Sequence, residues 1–292
     1  MTGATNKSAW KPKPISDLEQ WGRGMMRTVN KPTGKFSFGM FLLVIVFLYL
    51  PLAILMLNSF NASKSLNWEG FTLQWYNELF FSGNWDPLWR AFWNSVIVAI
   101  TSATASTIIG TLGAIGLYWY RFRGKKAIQV AAFIPMLIPE IIIGVSLMML
   151  FVSVNLPLSL FTVIVAHTTF NIPFVLLVLM ARFESFDFST VEAAHDLGAT
   201  EYQALSKVIL PAVVPGIIAA FLIAVTLSLE DFVVTFFVAG PGASTLPVYL
   251  ESRIKRGIPP VINALSVVMI AGTVILALLS RNVVKHVFQS NK

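Results

Sequence analysis

The sequence predicts an all-α integral membrane protein with six transmembrane helices, and three observations predict it. Of its 292 residues, 56% are hydrophobic and only 12% charged, with a mean hydropathy of +0.73, far above that of a soluble globular domain. The apolar residues fall in runs long enough for the roughly 20 residues of helix that cross a bilayer. The basic residues gather at the borders of those runs. Backbone groups in lipid must be satisfied within their own segment, so the runs are read as helices.

Taken in order, the spans fall at about 36–58, 91–119, 128–152, 157–181, 211–238 and 261–284. The segment before them, 1–35, carries Lys7, Lys11, Lys13, Arg23, Arg27, Lys31 and Lys35, with no apolar core and no small-residue cleavage pattern before Phe36. It therefore reads as a cytoplasmic N-terminal arm rather than a signal peptide. Residues 36–292 form the transmembrane domain. After the first span, Trp68, Trp75, Tyr76, Trp85 and Trp89 mark an external loop that hugs the membrane, as interfacial aromatics do.

With the N-terminus inside, the inner segments also collect Arg121, Arg123, Lys125, Lys126, Arg182, Lys207, Arg281, Lys285 and Lys292. Lys and Arg are retained on the cytoplasmic side during insertion, so both termini are expected there. Only the loop at 239–260 dissents, since Arg253, Lys255 and Arg256 would lie outside.

The same distribution narrows function. A net charge of +7 placed at membrane borders is explained by anionic lipid and topology, so no nucleic-acid partner is read. The absence of cysteine excludes disulfides and thiolate metal sites within the chain. No phosphate-binding loop is present, because Gly124-Lys125 has Trp119 where the first glycine belongs and Lys126 where a Ser or Thr belongs. A membrane-embedded hydrolase built on His167 would need a nucleophile pattern that is missing. A secondary carrier would show matched broken repeats, and no such symmetry is visible.

Between the fourth and fifth spans lies a polar loop, 182–210, which supplies all but the final proline of VEAAHDLGATEYQALSKVILP at 191–211. Ser189-Thr190-Val191-Glu192 and Thr200-Glu201-Tyr202-Gln203 both have the form of a capping box and each predicts a short helix. Gly198 would end the first in a left-handed turn, and Pro211 would mark re-entry into the membrane. Ala193 and Ala194 leave a bare helix face that another protein can approach closely.

Glu192-Ala193-Ala194, three residues, Gly198, nine residues, then Val208-Ile209-Leu210-Pro211 resembles the EAA signature of ABC importer permeases, with Val208 in place of isoleucine. The resemblance implies a type I, MetI-like permease whose loop is a coupling helix seated in an ATPase subunit. Glu192, Ala193, Ala194, Gly198, Leu210 and Pro211 are then the ATPase-coupling residues. It also implies the partners: an ABC ATPase dimer at the cytoplasmic face, a second permease subunit, an external substrate-binding protein and membrane lipid. ATP and Mg would be bound by the ATPase, with no cofactor and no catalytic residue in this chain. A bacterial inner-membrane location follows. Tyr120-Arg121-Phe122-Arg123-Gly124-Lys125, Pro139-Glu140, and Leu227-Ser228-Leu229-Glu230-Asp231 followed by Ala239-Gly240-Pro241 resemble the second permease subunit of spermidine/putrescine importers. That likeness implies a polyamine substrate or, failing that, another small organic solute.

Three acids stand inside the spans. Glu140, Glu230 and Asp231 each cost on the order of 2.5–3.5 kcal/mol to insert. Counting about 1.5 Å per residue from the inner boundary places Glu140 and Glu230 in the outer half of the bilayer. Neighbours on a helix point about 100° apart, so Glu230 and Asp231 cannot share one narrow axis. One of them together with Glu140 is expected to face a water-filled path. No Lys or Arg lies well inside the spans to neutralise them, which favours an external cation. The alternative is that they bond to partner helices or the outer interface. His167 and Asn171, one turn apart, fit an interhelical hydrogen bond better than a two-ligand metal site. Pro135, Pro139, Pro157 and Pro173 would bend or end helices.

Overall fold

The computed structural model describes residues 34–64, 67–255 and 259–289, with side chains described as far as Ile275. The expected arm lies outside them except for its last two residues, as do Arg256 and the side chains of Arg281, Lys285 and Lys292.

The regular structure of the described residues is helical, with one isolated bridge between Asn61 and Phe71. In order it forms α1 (Lys35–Asn58), α2 (Gln74–Phe81), α3 (Asp86–Trp119), α4 (Lys125–Leu137), α5 (Glu140–Ser153) and α6 (Leu160–Glu184). Then come α7 (Ser189–Asp196), α8 (Glu201–Ala204), a π turn (Leu205–Ile209), α9 (Leu210–Glu230), α10 (Val233–Val238), α11 (Leu246–Ile254) and α12 (Pro260–Gln289).

The centre is built from α3, α6 and α9. Small residues make this possible. Ser95, Ala99, Ser102, Ala103, Ser106, Gly110 and Ala114 are all buried on α3, and faces of this kind let helix backbones approach. At Gly110 a Cβ would lie 2.5 Å from Val175 Cγ1, so α3 and α6 meet where only glycine fits. By contrast α1 buries none of its residues and exposes apolar side chains around its circumference, resting on α12. Lipid or a partner helix is the natural environment for such a surface.

Among the described residues four helices are long and apolar enough to cross a membrane: α1, α3, α6 and the continuous run Glu201–Glu230. The expected third span is a pair, α4 and α5, bent by 105°. Pro139 causes the break, because the residue before a proline is driven out of the helical region, and Ile138 is extended at φ −85, ψ 132. Counting the pair as one span gives five, and the described apolar part of α12, Pro260–Ile275, is shorter than a span. The expected fifth span also differs. Its helix is continuous from Glu201, ten residues before the expected 211, and stops at Glu230 rather than 238, where Asp231 turns extended before α10.

Two close approaches hold α10. A Cβ on Gly144 would lie 2.9 Å from Phe237, and one on Gly240 would lie 1.7 Å from the Leu158 carbonyl oxygen. On the other face of the bundle, Trp75 and Trp85 are buried with Leu79, Leu88, Tyr249 and Val261 instead of lying in an interface. The indole of Trp75 donates to the Asn61 carbonyl at 2.7 Å. They roof the ends of α3 and α12; of the five aromatics expected at an interface, Trp68 is the one that is mostly exposed.

Candidate functional site

The two helix breaks face one another. A cavity of ≈ 300 Å³ lies between them, bordered by residues of α4, α5, α6, α9 and α10, and it gathers Glu140, Glu230 and Asp231. The sequence numbers of these acids span 91 positions, but both breaks deliver an acid to the same space.

Their environments differ. Glu140 opens α5 and Glu230 closes α9; both are exposed, and among the described residues neither has a hydrogen-bond or ion-pair partner. The first position suits an acid, since a helix N-terminus is electropositive. The second opposes one. At Glu230 the final carbonyls of α9 lack intrahelical donors, so the carboxylate adds charge to an end that is already negative. The end of α4 contributes Pro135, Met136 and Ile138 to the same cavity. Two carbonyl-rich helix ends and two free carboxylates thus surround it.

Asp231 is nearly buried and its oxygens are occupied. Oδ1 accepts from the Val234 amide at 3.2 Å, and Oδ2 from the Thr235 amide at 2.9 Å and the Thr235 hydroxyl at 2.7 Å. Nε2 of His167 lies 3.2 Å from Oδ2. Asp231 therefore caps α10 and ties it to α6. His167 is completely buried, with Nδ1 2.6 Å from Ser228 Oγ and Nε2 2.8 Å from Thr235 Oγ1. Asn171 donates to the Ala224 carbonyl at 3.4 Å. The pair His167 and Asn171 does make interhelical bonds, from α6 to α9 and α10.

Ser228, His167 and Asp231 have the connectivity of nucleophile, base and acid. The serine is 3% exposed and shares a hydrogen bond with Ser102 at 3.2 Å. A substrate has no approach to it, so the arrangement is a brace between helices. Among the described residues no three of His, Cys, Asp or Glu are grouped to hold a metal ion.

The polar loop forms a second surface. Gly198 sits at φ +85, and its amide donates to His195 O at 2.8 Å while that of Ala199 donates to Ala194 O at 3.0 Å. This pair of bonds is the Schellman ending of α7. Thr200 and Gln203 make both bonds of the expected capping box. The box expected at Ser189 is not made. Phe188 precedes the first turn, and the Asp187 carboxylate takes the Ser189 amide at 3.0 Å, as an Asx turn does. The Ser189 amide and then its hydroxyl hold the Asp187 carboxyl below the usual carboxylate range.

Glu192 and Ala193 are exposed and Ala194 half-buried on this surface. Leu197 and Tyr202 project from it at 90% and 77% exposure, a pair of apolar side chains that the sequence reading passed over although both stand in plain view within the polar stretch. Leu210 and Pro211 lie apart from it, at the start of α9. Pro211, expected to follow the second short helix at the point of membrane re-entry, lies inside a continuous helical run. The chain continues from α8 through the π turn, where the Leu210 amide bonds Leu205 O, and so accommodates a proline that cannot donate to Lys207.

An acidic cavity at two broken helices and a bare helical loop between long apolar spans define a membrane transport component rather than an enzyme. Residues 106–291 match the model of the binding-protein-dependent transport system inner membrane component. The chain is 38% identical over 249 residues to the spermidine/putrescine transport system permease protein PotC of Escherichia coli (strain K12), covering 85% of this chain and 93% of that one. It is 42% identical over 239 residues to PotC of Haemophilus influenzae, covering 82% and 92%. A chain of a bacterial ABC transporter involved in the import of the acidic polysaccharide alginate shares its fold, with a TM-score of 0.63 at 17% identity over 94% of this chain and 99% of that one. The chain belongs to the family of binding-protein-dependent inner-membrane transport components. It is a non-catalytic subunit of an ABC importer, and ATP hydrolysis belongs to a separate chain.

Proposed function

We propose that the chain is a permease subunit of a polyamine importer, with spermidine or putrescine as substrate. The carrying observation is the cavity, where Glu140 and Glu230 have no partner among the described residues and which the C-terminal ends of α4 and α9 border. Carbonyl oxygens and carboxylates replace the water shell of an ammonium group without a permanent counter-ion. The relatives that carry spermidine and putrescine in their names support the same reading. The importer named for an acidic polysaccharide has this fold too, so side chains at the cavity, not the fold, set the sign of the substrate.

In this reading α12 supplies the sixth span and both termini are cytoplasmic. The surface of α7 and α8, with Glu192, Ala193, Ala194 and Gly198, docks one subunit of an ATPase dimer that binds ATP and Mg, and Leu210 and Pro211 start the helix that leaves it. A second permease subunit covers part of the exposed bundle, and an external binding protein delivers the substrate. The test is uptake of labelled spermidine and putrescine by proteoliposomes holding the complete complex. Glu140→Gln with Glu230→Gln should reduce uptake at least tenfold while basal ATP hydrolysis persists, on the order of one charge interaction lost per site. Unchanged uptake in the double variant would refute the cation path.

A further inference from the structure

The loop surface is tied to the bundle by aromatic rings. Tyr118, in the last turn of α3, lies between two phenylalanines, with centroids 5.2 Å from Phe183 at 20° and 5.2 Å from Phe188 at 11°. Phe183 belongs to the end of α6, and Phe188 is the residue from which α7 starts. Phe186 meets Phe188 edge-on at 5.0 Å, and Trp119 reaches it at 6.3 Å. Val191 of α7 is buried in the same cluster. The docking helix is therefore seated on the inner end of α3 through stacked rings as well as through the chain.

From there α3 runs unbroken for 34 residues, about 50 Å at 1.5 Å per residue. Partway along, Ser102 bonds Ser228, the serine that holds His167. At the far end Asn94 donates to the carbonyls of Gly242 and Ser244, each at 3.0 Å, and Ser95 accepts from the Leu246 amide at 2.7 Å. One rod therefore touches the docking helix, the wall behind the cavity and the loop after Gly240. The covalent route from α8 to α9 is softer, because it passes through the π turn, Pro211 and Pro215, features at which helices bend. In α3 the sole proline is Pro87, in its first turn.

We propose that Tyr118 and Phe188 are positioning residues for ATP-coupled transport: their ring stack carries displacement of α7 into α3, and through α3 to Ser228 and the 242–246 loop. The proposal rests on the reading of α7 as the ATPase-docking helix. Close-packed rings transmit displacement because the contact cannot compress, and a residue that acts this way changes coupling rather than binding.

The test uses the complete complex in proteoliposomes, with labelled putrescine uptake and ATP hydrolysis read in the same vesicles. Tyr118→Ala and Phe188→Ala should retain the ATPase subunits and hydrolyse ATP, while uptake per ATP falls about tenfold, within the usual range of coupling energies. Tyr118→Phe keeps the ring and should keep the wild-type ratio. An unchanged ratio in both alanine variants, or an equal loss in Tyr118→Phe, overturns the proposal. If the alanine variants do not assemble, Tyr118→Leu and Phe188→Leu decide on the same ratio, and failure of these to assemble would show that the rings serve folding alone. Gly198→Val separates the two readings. If it retains full uptake and stimulated hydrolysis, the docking role of α7 is wrong; if it loses them while the ring variants do not, only the stack is wrong.

Discussion

His167 Nε2 lies 3.2 Å from Asp231 Oδ2, and both residues are buried at the point where the chain leaves α9 and begins α10. The contact fixes the direction of α10 and spends the charge of Asp231 inside the protein. Adjacent acids in the sequence thus take different roles: Asp231 caps a helix and Glu230 opens into the cavity.

Removing the cap should cost stability before it costs substrate recognition. Asp231→Ala leaves the amides of Val234 and Thr235 without their acceptor and should destabilise by about 1–3 kcal/mol. The purified complex should melt earlier by differential scanning fluorimetry. Asp231→Asn, which preserves one acceptor, should fall between the two.

Charge removal at the other two acids should read out differently. Glu140→Gln and Glu230→Gln neutralise exposed acids at opposite helix ends, so stability against melting should fall slightly in the first and rise slightly in the second, by about 0.3–1 kcal/mol each. The expected change is a higher KM for putrescine uptake. A drop in melting temperature matching that of Asp231→Ala, with KM unaltered, would assign these acids to folding.

Much of this architecture is legible in the sequence, and what is missed has a physical cause. Apolar length and border charge locate the spans because those signals are local. Gly198 announces its left-handed turn because few other residues adopt it cheaply. That Glu140 and one of the pair Glu230 and Asp231 share a path is readable from their common depth; which of the pair it is, and that two helix breaks fold toward each other around it, are not. Pro139 marks the first break in the sequence; the second has no proline, and only the acidic pair after an apolar run hints at it. The burial of Trp75 and Trp85 is equally invisible, because an interfacial aromatic and a roofing aromatic have the same composition.

Gly198 offers a graded test of the turn. A Cβ there would meet nothing within 4 Å, so crowding is absent and the backbone angle alone is at stake. A left-handed conformation costs an ordinary L-residue roughly 1–2 kcal/mol and less for Asn. Gly198→Asn should therefore keep most uptake, whereas Gly198→Val should lose most of it while still inserting in the membrane. Equal activity of the two variants would show that the turn does not govern coupling.

Gly240 presents the opposite case, in which space decides and backbone angle does not. A side chain there would drive its first carbon to 1.7 Å from the Leu158 carbonyl oxygen, a backbone atom that no rotamer change can move away. The loop before α6 and the loop after α10 would have to part, and the nearby bond from the Thr162 hydroxyl to Val238 O, at 2.8 Å, would open with them. The cost should reach or exceed the 1–3 kcal/mol typical of overpacking, because a close-packed backbone contact yields less than a side chain does. Gly116 supplies the control: it is helical in α3, with nothing within 4 Å of a built Cβ. There Gly116→Ala should be neutral or stabilising by up to about 1 kcal/mol, the helix preference of alanine over glycine. Yield and melting temperature of the detergent-solubilised complex measure both. A Gly240→Ala complex as stable as Gly116→Ala would mean that the two loops are not packed as described, and that the seating of α10 beside the acidic cavity must be redrawn.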